Sequence, residues 1–101
     1  MMTLTSQAAQ QVLKAAGQTG AQGSPLRIAA RVDADGSVQY GMGFDEQREH
    51  DMLIHCEGVA VLVSPGSTSL LKGVTLDFVE FNPGEFQFIF IPPDAGGGPG
   101  E

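Results

Sequence analysis

The chain has 101 residues and a formal net charge of −7, which fits one domain and gives no electrostatic basis for binding nucleic acid or an anionic membrane. Its single cysteine, Cys56, excludes an internal disulfide and a cysteine-rich zinc site, and it favours a reducing, cytoplasmic setting. The N-terminus lacks the basic and apolar regions of a signal peptide, and no apolar run approaches the ~18–20 residues that span a bilayer.

The first predicted element is a short amphipathic helix over residues 6–16. Apolar residues recur there at the spacing that places them on one helical face: Ala9, Val12, Leu13 and Ala16. Thr5 is placed to cap the helix through its hydroxyl, and Gly17 is placed to end it in the left-handed conformation. The segment 18–25, rich in Gly and Gln and ending in Pro, then predicts a loop.

Two hairpins are predicted next. Apolar alternation or β-rich composition indicates strands in four segments, residues 26–32, 38–44, 52–56 and 59–63. The first pair turns at Asp35 and Gly36, which tolerate the positive φ angles of a tight turn. The second pair turns at Glu57 and Gly58. The acidic segment 45–51 between the hairpins predicts a solvated connector.

The C-terminal part predicts a helical turn and a third hairpin. Capping serines and a Leu-Leu pair indicate the helical turn over residues 64–72, which ends at Gly73. Strand composition then covers residues 74–81 and 85–91, with a turn at Asn82-Pro83-Gly84 between them. The whole pattern predicts a mainly β fold with short α elements: two packed sheets with an N-terminal helix.

The last predicted strand, residues 85–91, is apolar on both faces. Such a strand is either central in its sheet or covered by a partner, because it is otherwise a template for aggregation. We therefore expect a homodimer. Pro92 and Pro93 end the pairing, so residues 1–93 are predicted to form a single domain and residues 94–101 a flexible, Gly-rich tail.

Few residues are candidates for metal binding. Asp33 and Asp35 offer hard carboxylate oxygens, although short Asp-rich turns also form because Asp bonds its own backbone. His50, His55 and Cys56 are close in sequence, but neighbouring strand residues face opposite sides of a sheet. Turn and connector chemistry is the simpler interpretation for both groups. No residue set amounts to a catalytic constellation, so the chain is not expected to be an enzyme.

The order of segments resembles the HesB/IscA family of A-type iron–sulfur carriers. The likeness runs from LTSQAAQQVLKAAG through LRIAARV and YGMGFDE, and it is most specific over residues 63–79, where a strand end, a Ser-Leu helical turn, a Gly and TLDFV follow one another. The resemblance implies a HesB-like fold of two packed sheets with short helices, assembled as dimers or larger oligomers. It also implies partners among iron–sulfur assembly proteins or their clients.

The resemblance fails at the ligands. The family's chemistry uses three cysteines, whose thiolates are soft anionic donors that suit iron. Their positions are occupied here by Asp35 and approximately by Gly96 and Gly98. The first hypothesis is therefore an accessory or protein-binding module with no cofactor. The alternative is a carrier of iron or a labile Fe–S cluster that uses Asp35 and ligands from another subunit or from small thiols.

Overall fold

Residues 2–93 are described by the computed structural model and contain seven strands and two α-helices. In chain order they are β1 (Thr3–Leu4), α1 (Ser6–Thr19), β2 (Leu26–Val32), β3 (Val38–Phe44), β4 (Met52–Cys56), β5 (Val59–Val63), α2 (Thr68–Leu71), β6 (Thr75–Asn82) and β7 (Glu85–Ile91). A 3₁₀ turn, Pro65–Ser67, precedes α2. Within these residues, no helix is long and apolar enough to cross a membrane. The predicted tail, residues 94–101, lies outside the described part of the chain.

Helix α1 begins where the sequence predicts and ends later. The Thr5 hydroxyl accepts the Ala8 N–H at 3.1 Å, as expected of an N-cap. The helix continues past Gly17 and ends at Gly20, which takes φ 76° and donates its N–H to the Ala16 carbonyl. The predicted apolar face was wrong at Leu13, which is 51% exposed. Its place in the core is taken by Ala8.

A four-stranded sheet holds the first two predicted hairpins, with the order β3-β2-β5-β4. The hairpin pairs are antiparallel, and the central strands β2 and β5 are parallel to each other. Leu26, Ile28 and Ala30 of β2 point into the core, as the alternation predicts. Val32, at the end of the strand, is instead 55% exposed.

A three-stranded sheet packs against the first, with the order β1-β6-β7. The N-terminal strand β1, which the sequence pattern did not reveal, pairs in parallel with β6. Strand β7 lies at the edge of this sheet. Of the two positions considered for this strand, the central one is therefore wrong. The predicted fold class, mainly β with two packed sheets and an N-terminal helix, is confirmed.

The hydrophobic core fills the space between the sheets and α1. Both sheets, α1, α2 and the loop before β6 contribute to it, and its members include Leu4, Val12, Ile28, Val61, Val63, Leu71, Val74 and Leu76. Tyr40 and Phe90 join the sheets at its border, with stacked rings whose centroids are 4.7 Å apart. This contact brings the C-terminal end of β7 beside the β2–β3 hairpin.

Candidate functional site

The loop between β2 and β3 holds both predicted metal-ligand candidates. It closes by two backbone hydrogen bonds: the Asp33 N–H donates to the Ser37 carbonyl at 2.7 Å, and the Gly36 N–H donates to the Asp33 carbonyl at 2.9 Å. Gly36 has φ 88°, whereas Asp35 is not among the residues with positive φ. The predicted two-residue Asp-Gly turn is thus a five-residue loop, residues 33–37, with only Gly36 in the left-handed region.

The carboxylates of Asp33 and Asp35 have different neighbours. Asp35 is exposed, and its Oδ1 accepts the Ser37 backbone N–H at 3.0 Å, which holds the pKa of its carboxyl below the usual value. Asp33 is half-buried, and its Oδ1 lies 3.9 Å from an Arg31 guanidinium nitrogen. Among residues 2–93, no group of three or more His, Cys, Asp or Glu side chains is arranged to hold a metal ion.

Ser67, in the 3₁₀ turn, binds strand β2 at Ala30, three residues before the 33–37 loop. Strand β5 pairs with β2 only as far as Ile28 and Val63. Two residues farther along β2, the buried Ser67 hydroxyl takes over the role of β5: it accepts the Ala30 N–H at 3.0 Å and donates to the Ala30 carbonyl at 3.2 Å. The serine is a structural residue, because both of its hydrogen-bonding functions are used by the β2 backbone.

A cluster around Arg27 anchors the other end of the hairpin. Its guanidinium has five N–H donors, and it binds Asp45 Oδ2 at 2.6 Å, both Asp51 carboxylate oxygens at 2.7 and 2.9 Å, the Ser64 hydroxyl at 2.8 Å and the Glu46 carbonyl at 3.1 Å. Only 13% of the Arg27 side chain and 3% of the Asp51 side chain are exposed. The prediction of a solvated connector over residues 45–51 was therefore wrong at its ends.

Hydrogen bonds in this cluster shift the pKa values of Arg27, Asp45 and Asp51. The hydrogen bonds from Arg27, followed by that from the Arg48 N–H, lower the pKa of Asp51 to about 2. The Glu46 N–H and then Arg27 lower the pKa of Asp45, while the bonds to Asp51 and Asp45 raise the pKa of Arg27. The charged groups of the cluster form hydrogen bonds with one another, so the cluster has a structural role.

The histidines and the cysteine of the other candidate group do not come together. His50 is an exposed connector residue with φ 74°, and His55 is exposed on β4. Cys56 is half-buried and packs against the core cluster. Its Sγ accepts the Leu4 N–H at 3.2 Å, which ties β4 to β1. The cysteine thus has a structural contact in the second hairpin.

A shallow groove of about 310 Å³ lies along the β2–β3 hairpin. It is lined by Ala29, Ala30, Arg31, Gln39, Tyr40 and Gly41. Neither aspartate of the 33–37 loop lines this groove. The candidate site is therefore an exposed acidic loop on a well-anchored hairpin, and this arrangement suits contact with a partner better than enclosure of a small molecule.

Comparison with known proteins identifies the family of this scaffold. A family model described as iron-sulphur cluster biosynthesis matches residues 1–92. An Azotobacter vinelandii protein described as an uncharacterized protein in the nifU 5' region is 35% identical over 96 residues, covering 94% of this chain and 89% of that protein. The iron-sulfur cluster insertion protein ErpA of Alkalilimnicola ehrlichii is 35% identical over 95 residues, covering 93% of this chain and 77% of ErpA.

A solved structure gives the same result for the fold. The crystal structure of IscA with a 2Fe-2S cluster is similar with a TM-score of 0.74 and 26% sequence identity, covering 93% of this chain and 86% of the IscA chain. The resemblance to the HesB/IscA family is thereby confirmed. This chain belongs to the iron-sulphur cluster biosynthesis family.

Proposed function

We propose that this chain is a non-catalytic accessory or protein-binding member of its family, which does not carry a cluster through three cysteine thiolates. One observation carries the proposal. Where the HesB/IscA pattern has its loop cysteine, the chain has Asp35, and this carboxylate closes the loop by accepting the Ser37 N–H at 3.0 Å. Asp35 therefore acts as a turn residue.

The donors of the chain do not fit a cluster held by thiolates. Cluster iron takes soft, anionic sulfur donors, and the sequence has one cysteine. Cys56 lies in the second hairpin, where its sulfur accepts the Leu4 N–H. Asp33 and Asp35 are hard oxygen donors, and the Arg31 guanidinium, 3.9 Å from Asp33 Oδ1, opposes a second cation there. The approximate positions of the other two family cysteines, Gly96 and Gly98, carry no donor side chain.

The proposed partners are iron–sulfur assembly proteins or their clients. ErpA is named as a cluster insertion protein, and this chain has a related scaffold. Its loop at residues 33–37 and its connector at residues 45–51 present exposed carboxylates at Asp35, Glu46 and Glu49, whereas Asp45 and Asp51 are paired with Arg27. With a net charge of −7, the chain would be recognised by a partner with a basic surface. We propose that it works in a reducing, cytoplasmic setting and as a homodimer.

The alternative function keeps the carrier class. Asp33 and Asp35, with ligands from another subunit or from small thiols, would then bind iron or a labile cluster. Oxygen ligation makes such a site weaker and more exchangeable than a site built of thiolates. The two functions differ in one measurable property, which is whether the Asp35 carboxylate is needed to retain iron.

Anaerobic reconstitution with iron and sulfide tests the proposal. After desalting, we expect the wild-type protein to retain no stoichiometric iron and no cluster absorbance. The Asp35→Ala and Cys56→Ser variants should behave in the same way. A stoichiometric chromophore that Asp35→Ala abolishes would establish the carrier alternative, whereas one abolished by Cys56→Ser would assign the ligand to the second hairpin.

A binding experiment tests the positive half of the proposal. Under anaerobic conditions, the immobilised wild-type protein should retain iron–sulfur assembly proteins or their apo clients. The Asp33→Ala/Asp35→Ala double variant should retain less of them. Gln39→Ala is the matched control, because Gln39 is exposed on the same hairpin and uncharged. Equal retention by all three proteins would contradict a role for the acidic loop.

A further inference from the structure

Strand β3 is an open edge of the four-stranded sheet. It pairs with β2 on one side, and among residues 2–93 no strand pairs with its other side. Natural edge strands are protected by lysines, prolines, inward charges or bulges, or they are very short. Strand β3 has seven residues, VQYGMGF, none of which is charged or a proline. Its pairing with β2 continues without a bulge from Val38 to Phe44. The edge is therefore free to accept another strand.

The register with β2 decides which backbone groups of β3 face outward. Hydrogen-bonded and non-hydrogen-bonded pairs alternate along an antiparallel ladder. The pairs just beyond both ends of β3 are hydrogen-bonded: the Asp33 N–H donates to the Ser37 carbonyl at 2.7 Å, and the Asp45 N–H donates to the Pro25 carbonyl at 3.1 Å. Because the register between them is continuous, the odd-numbered residues of β3 bond to β2. The even-numbered residues direct their N–H and C=O groups to the free edge: Val38, Tyr40, Met42 and Phe44.

Carboxylates lie at both ends of this uncharged edge. Before β3, the 33–37 loop exposes the Asp35 carboxylate. After β3, the 45–51 connector exposes the carboxylates of Glu46 and Glu49. A strand bound along β3 would therefore have negative charge beside each of its ends.

The cations near these ends are matched by other carboxylates. A guanidinium nitrogen of Arg31 lies 3.9 Å from Asp33 Oδ1. Arg27 and Arg48 face the two aspartates of the connector, and a guanidinium nitrogen of Arg48 lies 3.2 Å from Asp45 Oδ2. Both ends of β3 thus keep an excess of negative charge.

We propose that the free edge of β3 binds an extended segment of a partner protein, which has an uncharged centre with lysine or arginine on both sides. In strand addition of this kind, main-chain hydrogen bonds supply the affinity, and side chains at alternate positions supply the selectivity. The outward N–H and C=O groups of β3 bond to the centre of the segment. The basic residues at its two ends meet the carboxylates at the two ends of β3.

The outer face of the hairpin leaves room for side chains of the added strand. Within the described part of the chain, a Cβ added at Gly41 or Gly43 would meet no atom within 4 Å beyond its chain neighbours. The groove along Ala29 and Gly41 continues past Gly43 to Asp45, with a further volume of about 170 Å³. No bulky side chain of β3 therefore blocks this side of the edge.

The charges favour such a segment over a second copy of this chain. Antiparallel pairing of two β3 strands would bring the 33–37 loop of each copy beside the 45–51 connector of the other, and parallel pairing would align the two loops. Both arrangements place carboxylates against carboxylates, which is unfavourable. The inference rests on the proposed function in one respect, the basic character of the partner. It adds the surface that is used and the extended conformation of the bound segment.

A synthetic peptide tests the inference by NMR. The peptide has two lysines, seven alternating threonines and valines, and two further lysines. When it is added to the ¹⁵N-labelled full-length protein, the outward amides of β3 should exchange with solvent more slowly. The same peptide with glutamates in place of its lysines should bind at least about tenfold more weakly. Equal binding of the two peptides, or outward amides that are already protected without peptide, would overturn the proposal.

Proline variants test the backbone contact itself. Met42→Pro and Val38→Pro each remove one outward N–H and no hydrogen bond to β2, and proline is tolerated at such positions of an edge strand. Each folded variant, checked by its NMR spectrum, should bind the lysine peptide about tenfold more weakly. Gln39→Ala is the control, because the backbone of Gln39 bonds to β2, and it should bind like the wild type. Unchanged binding by the proline variants would refute strand addition.

A third variant separates this inference from the proposed function. Asp33→Ala/Asp35→Ala should also weaken binding of the lysine peptide, because it removes the charge at one end of the edge. If this variant weakens binding and the proline variants do not, the acidic loop contacts the partner without strand addition, and only the present inference fails. If reconstitution instead shows iron held by Asp35, the proposed function fails, whereas weaker binding by the proline variants would still support strand addition.

Discussion

Replacing Ser67 by alanine tests whether this side chain substitutes for a strand at the base of the β2–β3 hairpin. The Ser67 hydroxyl is the hydrogen-bond partner of both the N–H and the carbonyl of Ala30. Ala30 is 7% exposed and Ser67 is 5% exposed, so water does not readily replace the lost oxygen. Ser67 also precedes α2 without making a side-chain cap bond. The substitution therefore removes the two bonds to Ala30 and little else.

The expected loss of stability follows from these two bonds. A buried backbone group left without a partner costs about 1–3 kcal/mol. With two groups affected and some local relaxation, Ser67→Ala should lower the free energy of unfolding by about 2–3 kcal/mol. For a domain of this size, each kcal/mol shifts the melting temperature by about 4–8 °C, so the expected decrease is about 10–20 °C. The protein should still fold, because native domains have about 5–15 kcal/mol of stability.

Urea unfolding and amide hydrogen exchange together measure this effect. The Ala30 amide should exchange faster in Ser67→Ala than in the wild type, beyond the change expected from global stability alone. Ser69→Ala is the control, since Ser69 is exposed in the same helical turn and its replacement should change stability by less than ~0.5 kcal/mol. Equal stabilities for the two variants, together with an unchanged Ala30 amide, would refute the role assigned to Ser67.

Two further predictions concern the anchors of the fold. The folded protein lowers the pKa of Asp51 from 3.8 to about 2, mainly through Arg27; this stabilisation is therefore complete above pH 3.8 and is lost as the pH falls through about 2. Urea midpoints measured from pH 5 downward should decrease over that window, less steeply in Asp51→Asn, and parallel curves would contradict the assignment. Gly73→Ala should destabilise the protein by about 1–3 kcal/mol, because Gly73 has φ 79° and its added Cβ would lie 2.8 Å from the Pro93 Cβ. Gly66→Ala, whose added Cβ meets nothing within 4 Å, is the control in the same urea experiment and should stay near the wild-type value.

Local sequence patterns predicted the strands well and the helix end poorly. Alternating side chains locate β2 because one face of the strand is buried, and Leu26, Ile28 and Ala30 are all below 10% exposed. The end of α1 is harder to predict, because Gly17 and Gly20 are both suitable caps and a glycine inside a helix costs only about 1 kcal/mol. The added turn, residues 17–20, is exposed. Local hydrogen bonds close it: the Thr19 hydroxyl donates to the Ala15 carbonyl at 2.9 Å, and the Gly20 N–H donates to the Ala16 carbonyl.

Long-range features had no local signal. Arg27 lies on the strand face that alternation predicts to be polar, and its partners Asp45, Asp51 and Ser64 are distant in sequence. Ser64 comes close to Arg27 because it follows β5, which is the parallel neighbour of β2. Asp45 and Asp51 come close to Arg27 because the two ends of the 45–51 connector lie beside it. The position of β7 at an edge is likewise a property of strand order, which the composition of a single strand does not determine. The two-sided apolar pattern left two positions open, central or covered by a partner, and strand order excludes the central one.

We expect the stability of this scaffold to depend little on the side chain at position 35, where the sequence comparison with the family predicts the loop cysteine. Three contacts fix the β2–β3 hairpin that carries the 33–37 loop. Ser67 binds the β2 backbone at Ala30, the Arg27 cluster anchors the start of β2, and Tyr40 of β3 stacks on Phe90 of the other sheet. In residues 2–93, every buried side-chain nitrogen or oxygen has a hydrogen-bond partner. None of these three contacts involves the side chain at position 35, so they remain the same whether that residue is a cysteine or an aspartate. Asp35→Cys should leave the unfolding free energy within about 1 kcal/mol of the wild type, since it exchanges one exposed loop hydrogen bond for a thiol. A larger loss of unfolding free energy would show that the Asp35 carboxylate contributes to the stability of the fold.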